Sequence, residues 1–506
     1  MFRKVLIANR GEIACRIAAT LREMGIAPVM VYSAADRGAL HTRAGSEAIP
    51  IGPAEARASY LDIEAVLGAA RRAGAEAIHP GYGFLAESPD FAAAVEAAGL
   101  TFIGPTPEQI RTLGDKRAAR SLAARAGVPV VPGAEGGDSK ALAAQARKLG
   151  YPVIVKAALG GGGKGMRIVA DEPSLIEAAE SASRLALTAF GDASVYVEKR
   201  LERPRHVEVQ VLGDGNGGAI HLLERECSLQ RRHQKVIEES PAPGLDEALR
   251  SRLAQAAVDL ARAARYRGAG TVEFLVAGDG AFHFLEANTR LQVEHPVTEV
   301  VTGVDLVRAQ LQIAAERRLP FDQSAVKGQG HAIEARIYAE DPSRGFLPQA
   351  GEAAKVRWPR GPFLRVDAGV ESGNQVPVHY DPILAKLIAG GETRKAALAR
   401  LVAGLDAALV HGVVTNLPFL RALARAREVE RASFDTEWIE REFLAGFTAL
   451  ATAPAPDLAL AAVSIFETEK TPGAGSRGPA ADPTGVPRDG SGAFRAPGRW
   501  RLPGLE

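Results

Sequence analysis

The chain has 506 residues, enough for about three domains of ordinary size, and 46% hydrophobic and 24% charged residues are typical of a globular protein. Its 61 lysines and arginines balance 60 aspartates and glutamates, so net charge gives no reason to expect nucleic acid or an anionic membrane as a partner. Two cysteines favour a reducing, cytoplasmic setting, and the absence of a signal-peptide pattern or a membrane-length apolar run excludes the secreted, fibrous and membrane classes.

Residues 1–115 alternate short apolar runs with amphipathic segments. KVLIA is apolar enough for a buried strand, a helix is expected from Gly11, and further strands are predicted in APVMVY, AEAIH and LTFIG. The segment YLDIEAVLGAARRAG is predicted to be a helix between them. This alternation favours an α/β domain, a parallel sheet with helices on both faces. No GxGxxG follows the first strand, so a dinucleotide site is not expected there.

Residues 116–330 have a different, α+β pattern. YPVIVKAA and MRIVA are predicted strands on either side of a glycine-rich loop, and HVEVQVLGDGNGGAIHLLERE and GTVEFLVAGDGAFHFLEAN are typical of antiparallel hairpins. Helices are expected at about 139–149, 172–190 and 246–266. Residues 331–446 are predicted to form a third unit of strands followed by helices, and residues 447–506 a Pro/Gly-rich linker or disordered tail.

The glycine-rich loop is the first candidate binding site. It consists of Gly160, Gly161, Gly162, Gly163, Lys164 and Gly165, and it is followed by Met166. Consecutive glycines let backbone N–H groups approach an anion. Met166 stands where a Walker A loop needs Ser or Thr, and a strand rather than a helix follows, so both the Walker A and the Rossmann interpretations fail. A flap over phosphates is favoured over a plain hairpin turn, with Lys116 and Lys156 as phosphate ligands.

Carboxylates on a predicted hairpin form the second candidate site. Glu273 and Glu286 each lie between apolar neighbours, and Asn288 follows. Oxygen ligands on paired strands suit Mg²⁺ together with nucleotide phosphates. The alternative is a cross-strand face that points to solvent.

The segment NTRLQVEHP forms the third. Strand alternation would place Arg290, Gln292 and Glu294 on one face, with His295 following. A guanidinium can clamp a planar oxyanion, and a nearby carboxylate can act as general base. The alternative is a polar face on an edge strand.

The fourth is CSLQRRHQKVIEESP, in which donor side chains crowd a short span: Gln230, Arg231, Arg232, His233 and Lys235. Such a run is most often a solvated loop or a nucleic-acid patch. Neutral net charge and the absence of interleaved aromatic residues disfavour nucleic acid. A site for a small anion is therefore plausible. Cys227, at the start of this segment, is predicted to be buried packing.

Taken together, these segments resemble biotin carboxylase, the ATP-grasp subunit or domain of biotin-dependent carboxylases. The resemblance covers about residues 1–446, and its motifs occur in unbroken order: IANRGEIACRI, HPGYGFLAES, GGGGKGMR, RHVEVQVL, ERECSLQRRHQKVIEE and EANTRLQVEHPVTE. It implies a Rossmann-like N-terminal domain (1–115), an ATP-grasp domain (116–330) with a mobile lid at about 130–203, and a small C-terminal α+β domain (331–446). The expected reaction converts bicarbonate to carboxyphosphate with ATP and then carboxylates the ureido nitrogen of biotin.

The resemblance also implies roles for individual residues. ATP would be held by Lys116, Lys156, Glu198, Lys199 and His206, with the glycine-rich loop closing over the phosphates. The nucleotide pocket would be lined by Leu201, Gln230 and His233. Two Mg²⁺ or Mn²⁺ ions would be coordinated by Glu273, Glu286 and Asn288. Bicarbonate would be held by Lys235, Arg290, Gln292 and the Val293 backbone. Glu294 would be the general base, Arg336 would stabilise the biotin anion, and Tyr82 would lie near biotin.

Departures from the family pattern are few. Lys164 replaces an arginine and keeps the charge, and Ala287 replaces a methionine beside a metal ligand. No Ala-Met-Lys-Met type motif occurs, so biotin is expected on a separate carrier protein rather than on this chain. The resemblance further implies a carboxyltransferase partner, a homodimer, and a role in an acyl-CoA carboxylase of the kind that supplies fatty acid biosynthesis. The alternatives are another ATP-grasp carboxylate ligase and an inactive regulatory subunit. The latter predicts losses among Lys235, Glu294 and Arg336, none of which is lost.

Overall fold

The protein is described here from a computed structural model that covers residues 1–135, 139–157, 167–190 and 193–451. The predicted phosphate flap, from Gly160 to Gly165 with Met166, lies outside the described residues. The predicted tail begins too early, because residues 447–451 belong to a helix that starts at Leu444. The rest of the predicted tail, from residue 452 onward, lies outside the described residues.

The N-terminal part is a five-stranded parallel sheet in the order β3-β2-β1-β4-β5. Its strands are β1 (Lys4–Ile7), β2 (Ala27–Ser33), β3 (Glu47–Gly52), β4 (Ala77–His79) and β5 (Thr101–Phe102). Its helices are α1 (Gly11–Glu23), α2 (Ile63–Ala73), α3 (Pro89–Ala97) and α4 (Pro107–Gly114). Side chains of β1 alternate between two cores, Val5 packing with α1 and Leu6 with α2 and α3. The predicted parallel sheet with helices on both faces is therefore confirmed, and β3, which contains Pro50, is a strand that the sequence pattern did not reveal.

A small antiparallel sheet follows, in the order β6-β9-β7-β8. Its elements are α5 (Lys116–Arg125), β6 (Gly133–Glu135), α6 (Ser139–Leu149), β7 (Val153–Ala157), β8 (Arg167–Val169), α7 (Glu172–Phe190) and β9 (Val195–Lys199). One apolar core joins α6 and α7 to this sheet through Leu142, Leu175 and Val155. The bounds of α6 and α7 match the predicted helices.

The largest layer is an eight-stranded sheet in which every neighbouring pair is antiparallel, in the order β14-β13-β10-β11-β12-β15-β22-β20. Its first five strands in the chain are β10 (Arg205–Asp214), β11 (Ala219–Arg231), β12 (Gln234–Ser240), β13 (Arg267–Val276) and β14 (Phe282–Asn288). The accompanying helices are α8 (Glu247–Ala263), α9 (His295–Thr302) and α10 (Leu306–Glu316). Helix α8 is shorter than predicted because residue 267 already begins β13.

The C-terminal part contributes three strands to the same sheet, which is continuous across residue 330. Its strands are β15 (His331–Tyr338), β16 (Glu340–Asp341), β17 (Leu347–Pro348), β18 (Gly351–Ala353), β19 (Lys355–Arg357), β20 (Leu364–Ala368), β21 (Asn374–Val376), β22 (Ile383–Gly391) and β23 (Leu409–His411). Its helices are α11 (Arg394–Ala407), α12 (Leu417–Leu423), α13 (Arg427–Arg431) and α14 (Leu444–Ala451). Within the described ranges, we find no helix with the length and apolar character needed to cross a membrane.

The two faces of the large sheet differ in chemistry. On β10, Val207 and Val209 belong to the apolar core that α8 covers. Because side chains alternate along a strand, His206 and Glu208 point to the opposite face, where both are buried. The same alternation on β15 places Ile333 and Ala335 against α11 and α12, and leaves Arg336 on the polar face. The large sheet thus carries a buried polar surface, which holds the candidate site.

Candidate active site

Lys235 occupies the centre of this polar surface. Its Nζ lies 2.6 Å from Glu208 Oε2, 2.9 Å from Glu273 Oε1 and 2.7 Å from Glu294 Oε1. An ammonium group has three N–H donors, so each faces a carboxylate. Burial disfavours the charge, but these three carboxylates outweigh burial and raise the pKa of Lys235 well above its usual value. Lys235 is therefore a fixed positive charge between three elements of the fold.

A two-residue hairpin turn delivers Lys235 to this position. Arg231 and Gln234 close the turn, and the residues between them, Arg232 and His233, both have positive φ, 49° and 64°. Two positive φ values are the geometry that lets a tight turn follow the twist of its strands. Gln230 is buried and pairs with Lys235 in register, whereas His233 is exposed at the tip of the turn. The donor-rich segment is thus mostly strand rather than solvated loop.

Glu294 is fully buried between two cations. Its Oε1 faces Lys235, and its Oε2 accepts from Arg336 Nη2 at 2.7 Å. Burial and the neighbouring Glu208 would raise the pKa of Glu294, but Lys235 and Arg336 outweigh them and lower it. The geometry therefore keeps Glu294 ionised, which is the form that a proton acceptor needs.

The segment before Glu294 is a turn, so the predicted strand over NTRLQVEHP is wrong. Residues 289–294 form no strand, and α9 begins at His295. Pro296 lies in the first helical turn, where its missing N–H costs nothing. Arg290 and Gln292 nevertheless meet, with Nη1 of Arg290 3.2 Å from Oε1 of Gln292. The turn, rather than strand alternation, brings these side chains to the site.

The predicted metal ligands lie together on the neighbouring strands β13 and β14. Glu273 and Glu286 are directly opposite in register, and Asn288 Nδ2 donates to Glu273 Oε1 at 2.7 Å. Burial, followed by the Glu273 charge, raises the pKa of Glu286. A divalent cation would remove this repulsion, and carboxylate oxygens are the ligands that Mg²⁺ prefers. His206 Nε2 also lies 2.7 Å from Glu273 Oε2. The residues present therefore fit a metal ion.

The residues that are predicted to face the nucleotide include several on the small sheet and on α5. Lys156 on β7 is buried and forms an ion pair with Glu198 on β9. Burial lowers the pKa of Lys116, the first residue of α5, while Glu286 opposes this shift. Lys199 differs, because its Nζ donates to the carbonyls of residues 150 and 151 at 2.9 and 3.2 Å. The structure therefore does not bring the Lys199 ammonium to Lys156. Leu201, another predicted pocket residue, lies half-buried just after β9.

Tyr82 lies at the carboxyl end of the parallel sheet. Asn9, which follows β1, donates to the carbonyls of Pro80 and Tyr82 at 2.8 and 2.7 Å. The Tyr82 hydroxyl donates to Glu12 on α1. In an open parallel sheet, ligands bind beyond the carboxyl ends of strands where the strand order reverses, and β1 and β4 are those strands here. The Tyr82 side chain is thus fixed at such a point.

Several residues of the site were not predicted. Glu208 binds both Lys235 and Arg225, whose Nε lies 2.5 Å from Glu208 Oε1, and Glu87 accepts from Arg290 Nε at 2.8 Å. Glu238 Oε1 lies 2.5 Å from Arg336 Nη2. Glu208 carried a signal, because the alternation in RHVEVQVL places it on the same face as His206. Cys227, predicted to be packing, is fully buried and free.

Two features are typical of the ATP-grasp class of ligases. One face of the large antiparallel sheet carries buried carboxylates and lysines, and the small sheet next to it carries a paired lysine. The chain therefore has the architecture of that class. Three family models match it. They are the biotin carboxylase N-terminal domain over residues 1–110, the carbamoyl-phosphate synthase L chain ATP-binding domain over residues 115–321, and the biotin carboxylase C-terminal domain over residues 334–441.

Individual relatives agree. The chain is 50% identical over 449 residues to a biotin carboxylase of Pseudomonas aeruginosa, covering 87% of this chain and 99% of that protein. It is 53% identical over 442 residues to the mitochondrial methylcrotonoyl-CoA carboxylase alpha chain of Oryza sativa, covering 87% of this chain but only 60% of that protein's length. A crystal structure of the Campylobacter jejuni biotin carboxylase–βγ-ATP complex superimposes with a TM-score of 0.85 at 44% identity, over 87% of this chain and 99% of that chain.

The chain belongs to the biotin carboxylase family. The predicted family and the predicted fold class, a parallel N-terminal domain followed by an ATP-grasp domain, are therefore confirmed. The predicted enzyme class, an ATP-dependent ligase, is confirmed at the level of the family.

Proposed function

We propose that the chain catalyses the ATP- and bicarbonate-dependent carboxylation of biotin carried by a separate protein. The observation that carries this proposal is the placement of Glu294, fully buried and ionised between Lys235 and Arg336. Lys235 also contacts Glu273, a proposed metal ligand. Arg336 lies on β15, whose last residue, Tyr338, lies near Tyr82, the residue proposed to lie near biotin. A carboxylate held this way can accept a proton between the two substrates.

The first half-reaction is phosphoryl transfer. The γ-phosphoryl group of ATP moves to a bicarbonate oxygen, forming carboxyphosphate and ADP. Lys116 and Lys156 supply positive charge to the phosphates, and His206 and Gln230 are buried on β10 and β11 of the large sheet. Two Mg²⁺ or Mn²⁺ ions would supply charge neutralisation for an in-line transfer. Glu273, Glu286 and Asn288 would hold the ions.

Bicarbonate would be held at the turn before α9. Arg290 offers a planar fork of donors that suits an oxyanion, and Gln292, 4% exposed, lies within hydrogen-bond distance of it. Lys235 contacts Glu294, the last residue of this turn. Binding in this place would bring the bicarbonate hydroxyl close to the Glu294 carboxylate. Glu294 then takes the proton as the oxygen attacks phosphorus.

In the second half-reaction, carboxyphosphate breaks its bond between carbon and the bridging oxygen to give CO2 and phosphate, and the phosphate takes the proton from the ureido nitrogen of biotin. The resulting biotin anion attacks the carbon of CO2, forming carboxybiotin, and protonated phosphate leaves. Arg336 is 8% exposed, and its guanidinium is shared by Glu294 and Glu238. When Glu294 becomes protonated, the attraction between them weakens and the Arg336 charge becomes available to the biotin anion.

The partners follow from the same reaction. We propose a biotin carrier protein and a carboxyltransferase, together with this chain forming an acyl-CoA carboxylase. The relatives named as methylcrotonoyl-CoA carboxylase alpha chains are longer than this chain, and a Methanothermobacter relative is named as one component of a pyruvate carboxylase. Biotin carboxylation is the step that these names have in common, so we assign the chain that step and leave the final acceptor to the partner. A homodimer is part of the same proposal.

The proposal is tested by ADP release from the purified chain with Mg²⁺, with and without bicarbonate and free biotin. Release should require bicarbonate and rise with biotin, and carboxybiotin should form. Glu294→Gln, which cannot accept the proton, should lower the biotin-dependent rate by about 10²-fold or more. Arg336→Ala should lower it by about 10²-fold.

A surface ion pair between α6 and α7, the helices that pack on the small sheet, provides matched controls. Arg147 and Glu172 are paired at 2.5 Å and well exposed, so Arg147→Ala and Glu172→Gln should retain wild-type rates. ADP release that ignores both bicarbonate and biotin would refute the proposal. It would favour another ATP-grasp carboxylate ligase. No ADP release at all, with ATP bound, would favour the inactive regulatory protein.

A further inference from the structure

Lys386 is a buried cation that the reaction described above does not use. It lies in the middle of β22, and its side chain is completely inaccessible to solvent. Its Nζ lies 2.9 Å from the Val293 carbonyl oxygen, 3.2 Å from Glu12 Oε2 and 3.7 Å from Asp367 Oδ2. A buried ammonium is costly unless it is paired, so its contacts indicate what it holds in place.

Two of these contacts connect Lys386 to residues that are proposed to act on different substrates, bicarbonate and biotin. The Val293 carbonyl belongs to the turn that carries Gln292 and Glu294. The Glu12 carboxylate accepts a hydrogen bond from the Tyr82 hydroxyl. Tyr82 is predicted to lie near biotin. Asp367 already accepts hydrogen bonds from two guanidinium nitrogens of Arg365, Nε at 2.8 Å and Nη2 at 2.7 Å. The contacts of Lys386 that matter for the site are therefore those to Val293 and Glu12.

The Val293 carbonyl and the Glu294 amide form one rigid peptide plane. The preceding carbonyl, that of Gln292, is held by His295 Nδ1 at 2.7 Å. Lys386 holds the next carbonyl, and without this donor the plane that leads into Glu294 could rotate. Small displacements of a positioning group cost large factors in rate. The position of the general base thus depends on a residue 93 positions away in the sequence.

We infer that Lys386 is a positioning residue, which ties the Val293 peptide plane to the Glu12–Tyr82 pair and so aligns bicarbonate with biotin. This inference rests on the proposed function. Lys386 touches neither substrate in this arrangement. It acts by fixing the backbone that presents Glu294 and, through Glu12, the ring of Tyr82.

The test is steady-state kinetics of Lys386→Met, which keeps the length of the side chain and removes its charge and donors. The KM for bicarbonate should rise by about tenfold or more, while the KM for ATP stays within about twofold of wild type. The ratio of ATP consumed to carboxybiotin formed should also rise, because bicarbonate and biotin are no longer aligned.

Arg365→Met is the matched control, since it removes a neighbouring, half-buried cation that contacts Asp367 and Glu299. Its KM for bicarbonate and its coupling ratio should match wild type. If Lys386→Met does not fold because Glu12 is left unpaired, the double variant Glu12→Gln/Lys386→Met removes both charges and should show the same KM effect.

The outcomes separate the two proposals. A wild-type chain without bicarbonate-dependent ADP release would refute the proposed function itself. An active wild type with an unchanged bicarbonate KM and coupling ratio in the Lys386 variants would refute only the positioning role. Equal changes in the KM for ATP, or equal effects in Arg365→Met, would likewise overturn it by showing a general structural effect.

Discussion

At the scale of single residues, Glu238 is a buried acid that shares Arg336 with Glu294. It is fully buried on β12, and burial, opposed by Arg336 and reinforced by the Glu294 charge, raises its pKa to about 7. Below that pH it is neutral, so Arg336 is balanced by Glu294 alone. Above that pH a second carboxylate competes for the same guanidinium. The net charge of the site therefore changes with pH near neutrality, because Glu238 gains or loses its proton there.

This coupling has a defined sign for stability. The native pKa lies above the unfolded value near 4.5, so the native state binds more protons between these values and the free energy of unfolding falls as pH rises from about 4.5 to about 7. Glu238→Gln does not titrate and avoids this loss. We expect its melting temperature, relative to wild type, to be higher by at least about 2 °C at pH 8 than at pH 5. Glu55→Gln, on the exposed surface, should show no such difference in thermal denaturation, and an equal response in both variants would contradict the assignment.

At the scale of elements, the two faces of β13 separate stability from chemistry. Phe274 is completely buried and forms an edge-on pair with Phe282 in the core beneath α8. Its neighbour Glu273 points to the polar face. We expect Phe274→Ala to lower the free energy of unfolding by about 3–5 kcal/mol while kcat/KM at low temperature stays near wild type.

Glu273→Gln should do the reverse, since Gln keeps the volume of the side chain but loses a charge that is proposed to bind metal. Its melting temperature should change little, and its rate of ADP release should fall by about 10²-fold. Chemical denaturation and ADP release, measured on both variants, check the pair. A Glu273→Gln variant that is active but as unstable as Phe274→Ala would show that this face is structural.

The alternation of apolar and polar residues predicted strands correctly where burial alone decides which residues are apolar. In β10 and β13, apolar residues alternate with polar ones because one face packs on α8 and the other lines the site. The turn over residues 289–294 has the same alternation but forms no strand, and helix α9 begins at His295 instead. The role of Glu238 could not be predicted, because its partner Arg336 is brought to it by the pairing of β12 with β15. The same holds for Lys386, whose partners lie on α1, on β20 and in the turn before α9. Local sequence patterns do not specify these contacts.

At the scale of the whole molecule, the site depends on a sheet that crosses the predicted domain boundary at residue 330. Strands β12 and β15 are paired from Ile237 to Ser240, and this pairing places Arg336 beside Glu294. The residues before 330 supply Glu294, the proposed base, and those after it supply Arg336 and Lys386. Glu273 and Glu286, the proposed metal ligands, and Arg336, the proposed biotin residue, therefore lie on one sheet.

This continuity predicts the behaviour of a chain cut at residue 330. Such a chain would leave β12 as an unpaired edge strand, which favours association with other chains, and would leave Glu238 and Glu239 without Arg336, His331 and Arg394. We expect it to aggregate, to show no cooperative thermal transition, and to lack biotin-dependent ADP release. Size-exclusion chromatography and calorimetry check this. A chain ending at residue 451 keeps every strand of the sheet and should unfold cooperatively, so a monodisperse, cooperatively folded 1–330 fragment would show that the two parts are independent domains.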